Sequence, residues 1–275
     1  MFSGCKQLTD VNFLKYWNIS NGNSFSFMFS YCISLIDIKG LENWDFSNCK
    51  GFYGMFYGCE SLIDIKPLHN WNVSNATCFI GMFSECKKLS DISGLQNWNV
   101  SKGTLFNSMF SRCSNITSFN ALKNWNVSNG KDFSTMFNKC SSLLDSRGFE
   151  NWDVSNANNF AGMFSECSEL KEIESLINWN VSNCNNFSTM FNECSSLLNL
   201  KPLQNWNFSK GIQFGMMFYG CINLLDIYTI ENWNVPKDGH FEAIFGKCDR
   251  TTVTKAIQKW NIPKEQFELI EKSTY

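Results

Sequence analysis

Asn70-Trp71-Asn72-Val73-Ser74-Asn75, followed by Phe79-x-x-Met82-Phe83-x-x-Cys86 and, three residues on, Leu89, is the stretch that decides the fold. The same phrase returns at a fixed interval of 27 residues, so that the tryptophans fall at Trp17, Trp44, Trp71, Trp98, Trp125, Trp152, Trp179, Trp206, Trp233 and Trp260. A period of this length marks a stack of structural units in which each unit touches only its neighbours. Phenylalanines at Phe2, Phe29, Phe56 and every 27 residues to Phe245 form a second unbroken series. Methionines from Met1 to Met217 form a third. No insertion interrupts these series.

Two periodicities alternate inside one unit. Phe79, Met82, Phe83 and Cys86 are spaced i, i+3, i+4, i+7 and predict one face of a short helix. Ser74 or Asn75 is placed to cap its start. Leu62-Ile63-Asp64-Ile65 is short, half-polar and branched, and predicts a strand of a parallel ladder. Asn70 to Val73 forms a turn or a second short strand. The expected fold is therefore an α/β repeat solenoid, a stack of about ten 27-residue rungs, each with a short helix, a short parallel-ladder strand and a Trp turn.

Stacking is an energetic requirement. A rung holds about nine apolar anchors, each contributing roughly 1.5–3 kcal/mol when buried. Ordering its residues costs on the order of 1.5 kcal/mol apiece, so a lone rung stays unfolded. The expected boundaries are a solenoid array over 1–247, with an incomplete first rung, and a degenerate last rung with a C-terminal cap over 248–275. Towards that end Ile244, Thr251 and Pro263 replace the usual Met, Leu and Ser, and Glu265 to Lys272 predicts a closing amphipathic helix.

Composition narrows the function. The chain has 275 residues, 23 basic and 25 acidic side chains and a net charge of −2, which excludes a basic nucleic-acid footprint. No stretch has the roughly 18 consecutive apolar residues of a membrane span. The N-terminal residues carry no signal-peptide pattern, which favours an intracellular or virion-associated location over secretion. Of 13 cysteines, ten follow the period from Cys5 to Cys248 and are expected as small buried hydrophobes with free thiols. Cys49, Cys78 and Cys184 lie outside that series without metal-ligand spacing.

These phrases resemble the BspA-like leucine-rich repeat, in the 27-residue variant found in surface proteins of wall-less bacteria, protists and large DNA viruses. The resemblance covers the whole chain. It implies a repeat solenoid that serves adhesion or protein binding on a cell surface.

Two residues past each strand leucine runs an acidic column, Asp10, Asp37, Asp64, Asp91, Asp145, Glu172 and Asp226, with Lys39, Lys66, Arg147 and Lys201 two residues further on. Side chains two apart share a strand face, so this is the candidate partner-binding face. Like charges about 5 Å apart repel by roughly 1 kcal/mol in water, and the basic residues relieve that. The asparagines preceding tryptophan, such as Asn70 and Asn97, are expected to form an amide ladder. The register places Trp and most Phe in the core and leaves Phe27, Tyr31, Tyr53, Tyr57, Tyr219 and Tyr228 for the surface. His69 and His240 are far apart with no nucleophile arrangement.

No catalytic, cofactor or metal pattern stands out, and the expectation is a non-enzymatic scaffold that binds protein partners through many repeated contacts. The alternative is a structural component of a larger assembly, with end-to-end or lateral self-association through an uncapped first rung.

Overall fold

The computed structural model describes residues 1–225 and 227–274. Successive rungs lie on one another, and equivalent side chains form columns through the core. Trp98 and Trp125 stack with ring centroids 6.4 Å apart and 1° between planes. Phe56 and Phe83 do so at 5.6 Å and 2°. The Phe, Met, Cys, Leu and Trp columns are almost wholly buried, the exceptions gathering in the first rung.

Polar atoms inside these columns are satisfied across the rung boundary. Each indole Nε1 from Trp44 to Trp260 donates to a carbonyl 30 residues earlier, as Trp71 does to Leu41 at 2.9 Å. Each in-register thiol from Cys32 to Cys248 donates to the carbonyl of the phenylalanine 30 residues earlier, as Cys86 does to Phe56 at 3.2 Å. A hydrophobe with one donor is what this position requires, and burial pushes these thiols up from the usual cysteine range.

The Phe-x-x-Met-Phe-x-x-Cys segment is not a helix, which corrects the expectation from its spacing. It is a run of tight turns, with Met28 N–H donating to Phe25, Ser30 to Phe27 and Cys32 to Phe29. Two residues per rung take left-handed backbone, for example Phe27 (φ 56°) and Tyr31 (φ 57°), or Gly54 and Gly58 at the same places one rung later. A β-turn with positive φ at its third residue turns the chain without helical continuation. The alternate amides point out of the rung and bond the next one: Phe27 to Tyr53 at 2.7 Å, Phe29 to Met55 at 2.9 Å, Tyr31 to Tyr57 at 2.6 Å. Backbone pairing between rungs thus replaces the bonds a helix would keep inside itself.

The expected strand is likewise shorter. Single parallel bridges join Asp10 to Asp37, Asp64 to Asp91 and Asp145 to Glu172. A second line of bridges runs from Ser24 through Gly51, Cys78, Leu105 and Asp132 to His240. One turn of 3-10 helix follows the first line in most rungs, as in Lys39–Leu41, Ser93–Leu95 and Glu174–Leu176.

Side-chain turns close each rung. Asn72 Oδ1 accepts the Ser74 N–H at 3.2 Å, an Asx turn repeated at Asn99, Asn126 and Asn180. The inter-rung amide ladder comes from the asparagine after this serine: Asn75 Nδ2 donates to the Ser47 carbonyl and Asn183 Nδ2 to Ser155, both at 2.7 Å. Among the asparagines preceding tryptophan, Asn151 makes one long bond of 3.5 Å to Lys123, so the ladder lies elsewhere than its sequence position suggested. Cys49 and Cys184 occupy a column held in six other rungs by Gly22, Ala76, Gly103, Gly130, Ala157 and Gly211. Both are buried, and their identity follows from a need for small side chains.

At the high-numbered end, α1 (Arg250–Ile257) takes the place of the ladder segment, capped by Asp249, whose carboxylate accepts the Thr252 N–H at 2.9 Å. Helix α2 (Lys264–Ser273) follows and buries Ile270. The Lys247 N–H donates to Ser273 at 3.4 Å, so α2 receives an amide that another rung would otherwise accept.

Candidate functional site

The expected acidic column lies along the first line of bridges, and its carboxylates are already engaged. Asp37 Oδ1 accepts the Lys39 N–H at 2.8 Å, Asp64 that of Lys66 at 3.1 Å, Asp91 that of Ser93 at 2.9 Å and Asp145 that of Arg147 at 2.9 Å. Asp10 accepts the Asn12 N–H at 3.0 Å. These bonds start the 3-10 turn, and a neutral amide serves equally: Asn199 Oδ1 accepts the Lys201 N–H at 3.1 Å. Glu172 is exposed, and Asp226 lies outside the described residues.

The basic residues behave individually. Lys66 Nζ reaches Asp91 in the next rung at 3.0 Å, while Arg147 folds back on Asp145 at 2.8 Å. Lys39 and Lys201 are exposed. Burial pushes the Asp91 carboxyl up, but the Ser93 hydroxyl and amide and the Lys66 ammonium outweigh it and hold the group below the usual carboxylate range. Beside this column runs an aliphatic row that the sequence reading overlooked. Ile36, Ile63, Leu144, Leu198 and Leu225 are 40 to 77% exposed, each one residue before its acidic or amide neighbour. Hydrophobic–acidic alternation on a strand was the available signal.

A second face is made by the tandem turns. Its left-handed positions line up as Glu85, Arg112, Lys139, Glu166 and Glu193. Arg112 lies 3.7 Å from Glu85, Lys139 3.1 Å from Glu166 and Lys247 3.6 Å from Glu193. Exposed pairs of this kind contribute about 0–1 kcal/mol to stability. A groove of about 820 Å3 runs along them from Lys87 to Tyr219, with Ser114, Ser141, Ser168 and Ser195 on its other wall. It continues past Arg112 into a groove of about 570 Å3 lined by Phe27, Tyr31, Tyr53 and Tyr57. The same 27-residue arithmetic that found the acidic column would have found this charged one.

His69 Nδ1 lies 3.0 Å from the Lys66 carbonyl oxygen, and His240 lies beside Glu242 at 3.8 Å. Among the described residues no group of three His, Cys, Asp or Glu side chains gathers to hold a metal ion. Nor is any described helix long and apolar enough to cross a membrane.

Stacked columns, backbone pairing from rung to rung and two long outward faces define a repeat solenoid. The chain belongs to the family described as "Mycoplasma protein of unknown function, DUF285", which matches residues 1–92, 61–175, 104–232 and 168–268. That agrees with its resemblance to BspA-like leucine-rich repeats. Among solved structures it is similar to a leucine-rich repeat protein from Bacteroides ovatus, at 12% identity over 95% of this chain and 85% of that one, with a TM-score of 0.37. An internalin (inlF) from Listeria monocytogenes is similar at 13% identity over 96% of this chain and 78% of that one, with a TM-score of 0.19. Comparison with curated proteins finds no match.

Proposed function

We propose that the chain is a non-enzymatic scaffold that binds a protein partner along the line of bridges carrying the acidic column. The observation that supports this is the pairing of rows there. Exposed aliphatic side chains at Ile36, Ile63 and Leu144 stand beside the charges of Asp37, Asp64 and Asp145. Apolar anchors supply affinity at an interface, and charges supply register and association rate. Because rungs repeat, a partner spanning several gains by effective concentration without any single deep pocket.

The test separates charge from fold. Asp37→Asn, Asp64→Asn and Asp91→Asn together keep the turn-forming acceptor that Asn199 already provides, yet remove three negative charges. Ile36→Lys with Ile63→Lys removes the aliphatic row at its start. Affinity capture with quantitative mass spectrometry is expected to show a partner enriched by the native chain and depleted at least tenfold by either set. Equal recovery by native and altered chains would remove this face from consideration.

A further inference from the structure

The aromatic end of the turn face carries features that the array does not need for folding. At its two left-handed positions per rung glycine recurs, as at Gly4, Gly54, Gly58, Gly81, Gly162 and Gly220. Glycine is the residue such backbone favours. In one rung both places hold bulky aromatic residues instead, Phe27 (φ 56°) and Tyr31 (φ 57°). A side chain there costs about 1–2 kcal/mol, a cost that thirteen such positions among the described residues carry, so what sets this rung apart is its pair of rings.

The next rung is cut to receive these rings. A Cβ on Gly54 would come within 2.6 Å of the Phe27 ring, and one on Gly58 within 2.8 Å of the Tyr31 ring. Tyr53 meets Phe27 with centroids 4.5 Å apart, and Tyr57 meets Tyr31 at 5.0 Å. Phe27, Tyr31 and Tyr53 remain 41 to 48% exposed, so the cluster is a platform and not a core.

Polar groups continue from the platform. Tyr57 Oη donates to Glu85 at 3.2 Å, and Glu85 faces Arg112 at 3.7 Å. The groove also includes Asn107 on its lining. Glu85 and Arg112 offset each other, so the groove selects for no net charge.

We propose that this groove binds a neutral oligosaccharide, whose flat C–H faces lie on the Phe27, Tyr31 and Tyr53 rings and whose hydroxyls bond Glu85 and Arg112. The negative face of an aromatic ring favours polarised C–H groups, and a sugar ring offers these on one side with donors around its edge. Three rungs separate Phe27 from the Arg112 position, about 15 Å at ordinary interstrand spacing, a length suited to a short chain of sugars. The site uses another side of the rung from the bridge line, so its success or failure is independent of the partner reading above.

The full chain is titrated calorimetrically with chitotetraose, cellotetraose and mannotetraose. Binding of at least one is expected, with tenfold or greater weakening in Phe27→Gly, Tyr31→Gly and Tyr53→Ala. The two glycine variants restore the residue the array itself places there, and their melting temperatures are expected to hold or rise, which separates recognition from folding. Tyr219→Ala, outside the platform, is expected to bind as the native chain does. Absence of binding to all three sugars, undiminished binding by the platform variants, or equal loss in Tyr219→Ala would each overturn the proposal. So would preferential binding of a lysine-rich peptide over every sugar.

Discussion

The indole nitrogen of Trp98 donates to the carbonyl oxygen of Leu68 at 3.0 Å, one rung and three residues back along the chain. That bond ties a core column to the backbone of its neighbour, and the same carbonyl also accepts the Trp71 N–H at 3.1 Å, so losing the indole donor leaves it with one partner. Trp98→Phe keeps the stacked ring but not the donor. It is expected to lower unfolding free energy by about 1 kcal/mol, read from urea midpoints, with Trp125→Phe behaving alike.

Left-handed backbone at the tandem turns should be measurable without steric confusion at Gly81 (φ 56°), where an added Cβ meets nothing closer than 3.8 Å. Gly81→Ala is expected to cost roughly 1 kcal/mol from backbone conformation alone. Thr135 (φ 53°) and Thr189 (φ 56°) hold branched side chains in the same conformation. Thr135→Gly and Thr189→Gly are expected to hold or raise the melting temperature.

Thiol chemistry should report burial rung by rung. Cys5 is exposed and Cys78 half-buried, while every other cysteine is buried. Burial pushes Cys49 up to about 11 and Cys184 up to about 12, which suppresses the reactive thiolate. Alkylation followed by mass spectrometry is expected to label Cys5 first, Cys78 next and the rest on denaturant unfolding. Early labelling of Cys113 or Cys140 would contradict the packing.

Acid should weaken the Asx turns in a defined direction. The Ser47 amide and hydroxyl hold Asp45 below the usual carboxylate range, the Ser155 hydroxyl and amide do the same for Asp153, and the Thr252 hydroxyl and amide for Asp249. A depressed folded value contributes stability above the unfolded value of 3.8, and that stability is lost as pH falls through the folded value. Unfolding free energy is therefore expected to be insensitive to these groups from pH 7 to 5 and to fall below about pH 4. Asp45→Asn with Asp153→Asn is expected to flatten that fall.

Register can be tested by excision. Removing residues 99–125 joins Trp98 to Asn126 and preserves every column, and the shortened chain is expected to fold with reduced stability because neighbour interfaces sum. Removing 100–125 instead takes out one residue fewer and shifts all later columns against the earlier ones. That chain is expected to lack cooperative unfolding by circular dichroism.

The columns were legible because Trp, Phe and Cys recur at one interval and each must face the same interior. The tandem turns were not, since Phe79, Met82, Phe83 and Cys86 point inward equally well from a helix or from successive i+3 turns. The contrary signal lay in Gly54, Gly58, Gly81 and Gly162, which sit inside the supposed helix where glycine is unfavourable. The carboxylates of the acidic column bond local backbone, a role that the two-residue spacing from Asp64 to Lys66 encodes. The row of Ile36, Ile63 and Leu144 was not legible because Ser90, Thr117 and Lys171 interrupt it at the same register. Glu85, Arg112 and Lys139 were missed for a different reason, their chemistry alternating where the acidic column repeats.

Along the tandem turns, the amides of Phe27, Phe29 and Tyr31 all point toward higher-numbered rungs, and the carbonyls they meet all point back. Peptide moments so aligned add, as they do along a helix axis. The turn face is therefore a polarised surface from end to end, with its positive pole toward α2. A bound chain of sugars or any other dipolar molecule experiences a direction there, and two antiparallel ways of lying in the groove are unequal in energy.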